Sequence, residues 1–223
     1  MVLAAKIFML KPAIDLDLIA EKLSVYKEEK EVNEHLLTIE FKDFRFLGDE
    51  LRCIFSEDRM IDTYYKGEVR SIPVTMEARL IFKVYDGRIF LIIMERKDFA
   101  NYIANKVSEA LFIKIGEVIE SEISHETLKL LHESNPGASK VIFFDNVDIP
   151  NIRKLSLYGS ALSDTSLYSM YLEHGKIWYV VFEFKKYGYI VGITRNCVLA
   201  MFTNIDHDSF ANFIVSEILP LLS

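Results

Sequence analysis

The sequence predicts an α+β protein: an internally duplicated β-α-(β)n-α unit, with antiparallel sheets and amphipathic helices packed on one face. Three observations carry that expectation. First, Asp98-Phe99-Ala100-Asn101-Tyr102-Ile103 returns nearly unchanged as Ser209-Phe210-Ala211-Asn212-Phe213-Ile214, at an offset of 111 in a chain of 223 residues. Second, each copy follows an apolar run with a turn just before it. Asp86-Gly87 precedes residues 88–94, and Arg195-Asn196 precedes residues 197–202. Third, the intervening segments read mostly as strands, with an amphipathic stretch near the start and at the end of each half. The two repeats are residues 1–112 and 113–223. No Gly/Ser-rich linker separates them; Phe112-Ile113-Lys114-Ile115 is itself apolar.

In the first half, residues 6–10 read as a strand, broken at Pro12. Asp15 is a natural helix N-cap and Asp17 favours the helix dipole, so a helix is expected over about residues 15–27, with Leu16, Ile19, Ala20 and Leu23 at helical spacing. Strands follow at 36–46 and 51–55, separated by Gly48-Asp49. Residues 64–69 turn at Lys66-Gly67. Residues 74–85 and 88–94 form a hairpin about Asp86-Gly87. Residues 97–112 close the half as a helix whose apolar face is Phe99, Tyr102, Ile103, Val107, Ala110 and Leu111.

The second half repeats the order. Residues 115–119 match the first strand, and Ser124 caps a helix that stops at Asn135-Pro136-Gly137. Strands are expected at 141–144, 154–158, 167–172, 177–184, 189–194 and 197–202, and a closing helix at 208–222. This element order is similar to the duplicated saddle of TATA-box-binding proteins and to helix-grip folds. The likeness is one of order alone. No family motif accompanies it, so it carries over neither residues nor function.

Cys53 and Cys197 are the only cysteines and share no metal-binding spacing, so two buried free thiols are expected, as in a reducing compartment. Residues 1–10 are apolar, but Lys6 interrupts them and no cleavage site follows. No run approaches the roughly 18 apolar residues of a membrane span. A cytoplasmic protein is expected. The net charge is −7, with 17 basic and 20 acidic side chains in residues 1–112 and 9 and 13 in residues 113–223. Neither half shows the cationic excess of a duplex-binding surface. Glutamine is absent while isoleucine is abundant, a hyperthermophile tendency that predicts a high unfolding temperature.

Several constellations invite a chemical reading, each with a plainer one beside it. His125 and His132 lie seven apart on one expected helix, so about 10 Å separates them along its axis. One metal ion cannot bridge that span, and surface histidines are expected. Asp145 and Asp148 follow an apolar strand, where carboxylates hold Mg²⁺ together with substrate phosphates; a polar turn ended by Pro150 is the plainer reading. Asp206-His207-Asp208 opens the last helix and reads as capping. Lys185-Lys186-Tyr187-Gly188-Tyr189-Ile190 partly resembles the RNP1 pattern of RNA-recognition motifs. It lacks the second-position glycine and has Gly192 in the final aromatic place. Trp178, Phe182 and Phe184 share alternation parity, which predicts a common sheet face.

The preferred expectation is a non-catalytic binding or assembly protein, associating with a protein partner or a second copy through an exposed sheet edge or the apolar ending Leu219-Pro220-Leu221-Leu222. Two alternatives stand beside it. A nucleic-acid binder would use Lys185, Lys186, Tyr187, Tyr189 and Trp178 on a sheet surface. A metal-dependent enzyme would use Asp145 and Asp148. No phosphate loop, nucleophile motif or zinc spacing is present, so no cofactor is implied.

Overall fold

A computed structural model describes residues 2–134 and 139–222. The stop expected at Asn135-Pro136-Gly137 lies outside the described residues. Among those described there are five α-helices and twelve strands, and the residue-by-residue strand pairings are antiparallel. The class is therefore α+β with antiparallel sheet. Contacts divide the chain into two compact units, Phe8–Ile119 and the pair of segments Met1–Ile7 and Glu120–Ser223. Strand β1 (Leu3–Leu10) contributes its first residues to one and its last to the other.

In the unit Phe8–Ile119, α1 (Leu16–Ser24) is followed by β2 (Lys27–Val32), β3 (His35–Leu47), β4 (Glu50–Tyr65), β5 (Glu68–Tyr85), β6 (Arg88–Ile93) and α2 (Lys97–Phe112). The strand order is β2-β3-β4-β5-β6-β1. The hairpin turns need positive φ, and the residues supply it. Lys66-Gly67 has φ of 49° and 85°, and Asp86-Gly87 has 49° and 70°, the pattern of a type I′ turn that matches strand twist. Asp15 caps α1 as expected, accepting from the Leu18 N–H at 2.7 Å. Period-two alternation then builds the core. Leu51, Cys53 and Phe55 of β4 lie opposite Phe82, Leu80 and Ala78 of β5. All six join Ile19 and Leu23 of α1 and Ala100, Ile103, Ala104, Val107 and Leu111 of α2 in one buried cluster.

A short strand β7 (Val118–Glu120) pairs with β1 and leads into the other unit. There, α3 (His125–Glu133), β8 (Ser139–Asp145), β9 (Leu155–Tyr158), α4 (Ser166–His174), β10 (Lys176–Phe184), β11 (Tyr189–Thr194), β12 (Val198–Met201) and α5 (His207–Phe213) follow in order. The strand order is β1-β12-β11-β10-β8-β9. Ser124 caps α3 and Asp206 caps α5 through N–H bonds of 2.9 and 2.8 Å. Beyond α5 the chain continues as a π-helical turn, Ile214–Ile218, and a 3-10 turn, Leu219–Leu221. The closing helix expected over 208–222 is thus regular only in its first part. Phe210, Phe213, Ile214, Ile218 and Leu219 are buried.

The structure corrects three element readings. Residues 167–172, expected as a strand, lie in α4. Thr165 caps that helix and Tyr168 and Tyr171 turn one face onto Phe144 of β8, with ring separations of 6.3 and 5.6 Å. Local capping and i, i+3 spacing outweigh the β propensity of the aromatic residues there. The first helix, expected to reach residue 27, ends at Ser24, and Lys27 already opens β2. Third, β4 and β5 do not stop near residues 55 and 74 but run on as a single hairpin to Lys66-Gly67. Among the described residues no helix is long and apolar enough to cross a membrane. Both cysteines are buried free thiols.

Candidate functional site

The hairpin of β4 and β5 is paired in unbroken register from Glu50 opposite Lys83 to Tyr65 opposite Glu68. Its flanking strands stop early. β3 leaves β4 at Glu57, opposite Ile39, and β6 leaves β5 at Leu80, opposite Ile93. From Asp58 opposite Thr75 to the tip, eight cross-strand pairs have no flanking strand. At about 3.4 Å per residue this is an arm about 27 Å long.

The arm is anchored at its root. Glu57, almost wholly buried, accepts from the Arg59 Nε–H at 2.8 Å and from the Tyr102 Oη–H at 2.8 Å. The Arg59 guanidinium lies over the rings of Phe99 and Tyr102 of α2, at 5.0 and 5.2 Å. The Glu57 carboxylate holds the Arg59 charge, raising its pKa, while burial and the same carboxylate push the Tyr102 phenol up to about 12. Asp58 continues the anchor, accepting from the Thr38 N–H at 3.1 Å and the Thr75 hydroxyl at 2.6 Å.

Beyond the root the side chains face water. One face carries Ile61, Thr63, Tyr65, Arg70 and Ile72, and the other Met60, Asp62, Tyr64, Val69 and Pro73. Tyr64 is 74 % and Val69 69 % exposed. The charges are satisfied within the arm. Arg70 pairs with Glu68 at 3.1 Å and stands over the Tyr65 ring, Lys66 stands over the same ring, and the Ser71 hydroxyl donates to Asp62. The two edges differ. Pro73, opposite Met60, has no N–H and interrupts the outer edge of β5. The outer edge of β4 presents Asp58, Met60, Asp62 and Tyr64 without such a break. By contrast the edge strand β2 reads Lys-Glu-Glu-Lys-Glu-Val, the charged guard that keeps sheet edges from pairing.

The residues singled out in the sequence sit elsewhere. Lys185 is exposed. Lys186 donates to Glu217 at 2.9 Å, and the Tyr187 hydroxyl donates to the same carboxylate oxygen at 2.7 Å. These bonds, that of Tyr187 first, lower the Glu217 pKa. Tyr187 and Tyr189 stack at 5.3 Å, and both rings stand against Phe213. The tip of β10–β11 is thus tied down to the C-terminal segment. Asp145 accepts from Arg195 at 2.6 Å, and Asp148 pairs with His174 at 2.8 Å. Each carboxylate has its own partner. Among the described residues no group of three or more His, Cys, Asp or Glu is arranged to hold a metal ion.

Of the two histidines expected at the surface, His125 is half-buried and His132 wholly so. His132 is fully buried with its ring 4.8 Å from that of Tyr168, and His125 accepts from the Ile177 N–H at 2.8 Å. Burial lowers the pKa of both. The expected common face of Trp178, Phe182 and Phe184 is also broken. Phe182 and Phe184 meet at 4.6 Å and Phe184 reaches Phe213, whereas Trp178 contacts Phe143, Tyr179 and Lys154. A β-bulge between Ile177 and Tyr179 makes Trp178 the extra residue, which shifts alternation by one.

The arm is not legible in the sequence, because pairing continues beyond the buried parts of both strands. The available signal was the Lys66-Gly67 turn itself, flanked by the strand-favouring residues Tyr64, Tyr65 and Val69. No model of a known protein family matches the chain, and no curated protein is significantly similar to it.

Proposed function

We propose that this is a non-catalytic assembly protein, and that the β4–β5 arm joins it to a second copy of itself. The carrying observation is a two-stranded arm, rigidly rooted on α2, whose apolar side chains and β4 edge are left uncovered. On one face of the hairpin Ile61, Tyr65 and Ile72 are exposed, with Met76 at the root, and on the other Tyr64 and Val69, so the arm offers apolar surface on both sides. Arg59 and Arg70 are paired within the chain and Lys66 lies over Tyr65, so the arm offers little free positive charge to a phosphate backbone. That and the net charge of −7 favour a protein surface over nucleic acid.

The same reading takes residues 1–112 and 113–223 as copies of one module. In support, each half opens with a strand and a helix and ends on strands followed by a helix. Ala100 and Ala211, and likewise Ile103 and Ile214, are buried. On this view β4–β5 corresponds to β10–β11, a hairpin whose pairing ends at Phe184 opposite Tyr189. The arm is then an elaboration that folding does not need, retained for contact.

Cysteine substitution tests the proposal. The native thiols of Cys53 and Cys197 are buried, and burial raises both pKa values, so neither competes. Cysteines introduced singly at positions 60, 61, 62 and 63 should give an interchain disulfide at one or more positions under mild oxidation. The absence of crosslinking at all four contradicts pairing of the arms.

A further inference from the structure

β9 ends the strand order of its unit, and beside it lies a depression of about 240 Å³ lined by Phe143, Lys154, Leu155, Ser156 and Trp178. Its walls are aromatic: the Trp178 ring is 5.8 Å from that of Phe143. The β-bulge described above turns Trp178 to this side. The Lys154 ammonium caps the indole face at 4.8 Å from the ring centre. Among the described residues no carboxylate pairs with this cation. The Trp178 Nε1–H is shut off from solvent without an acceptor. A donor left in that state favours any arrangement that brings an acceptor to it.

We propose that this depression binds a small aromatic carboxylate. The ligand's ring takes the place of the Lys154 ammonium against Trp178 and Phe143, and the ammonium, on its flexible stem, turns to pair with the carboxylate. Size selects the class. Pockets for drug-sized ligands hold about 300–1,000 Å³, so the smaller volume here suits one ring and one charged group. Charge selects the anion, since Lys154 in the lining has no carboxylate paired with it among the described residues. The site is independent of the arm.

Trp178 is the only tryptophan in the chain, so its emission reads the site directly. The intact protein is titrated with phenylacetate, with its neutral analogue phenylacetamide, and with cyclohexylacetate, which keeps the charge and lacks the aromatic ring. The expected result is a saturable emission change with phenylacetate in the millimolar range or below, and binding about tenfold weaker for each analogue. Lys154→Met, at an exposed position, should weaken phenylacetate about tenfold while leaving the unfolding temperature and phenylacetamide binding unchanged. No saturable change, equal binding of phenylacetate and phenylacetamide, or undiminished binding by Lys154→Met would overturn the assignment.

Discussion

His132 shows most clearly what burial does to a single side chain here. Its ring is enclosed against Tyr168, and loss of hydration disfavours the charged imidazolium, so its folded-state pKa lies below the ordinary value of about 6.5. The unfolded chain then binds the proton more tightly than the folded one. Stability is full above pH 6.5 and falls as pH drops from 6.5 through the folded-state value. Urea midpoints between pH 7.5 and 5.5 should therefore decline in the wild-type protein and decline less in His132→Phe; equal slopes would show that His132 takes no part. Gly192 makes a second case. A Cβ there would come within 2.3 Å of the Tyr179 hydroxyl and 2.9 Å of two ring carbons, because the ring lies across the glycine. Gly192→Ala should cost about 1–3 kcal/mol of stability. The cost should shrink when Tyr179 is also replaced by Ala, and an undiminished cost would mean that the ring is not the obstacle. Neither feature was legible in the sequence. Helical spacing places His125 and His132 on one face without saying whether that face is covered, and a lone glycine in a strand does not name the ring above it.

At the level of elements, short-range chemistry was legible and long-range cover was not. Asp15, Ser124 and Asp206 cap helices where the sequence placed helix starts, because a cap is decided within three residues. Lys66-Gly67 and Asp86-Gly87 turn where expected, because φ is decided locally. The length of β4 and β5 was not legible: a strand that keeps its pairing after its neighbours have ended has no buried alternation to announce it. Arg59 gives the anchoring its test. Arg59→Met removes the cation that Glu57 and the two α2 rings hold, and leaves Glu57 with Tyr102 alone. A loss of about 1–3 kcal/mol is expected in chemical denaturation, and an unchanged midpoint would show that the root is held by backbone pairing alone. Replacing residues 60–73 by a two-residue turn should do the opposite, leaving the unfolding temperature within a few degrees of wild type, since none of the residues removed belongs to the core cluster.

For the whole molecule the proposal is that two copies associate through their arms. An interface made of Ile61, Tyr64, Tyr65, Val69 and Ile72 is apolar, so its strength should hold or rise with salt, whereas contacts to a phosphate backbone weaken steeply. The most direct test is the molar mass in solution by light scattering, over a range of concentrations, for the intact chain and for the variant lacking residues 60–73. The account predicts a mass twice that of the 25.8 kDa chain for the intact protein, and that of a single folded chain for the shortened one. A monomeric intact protein, or a shortened variant that still forms dimers, would contradict it.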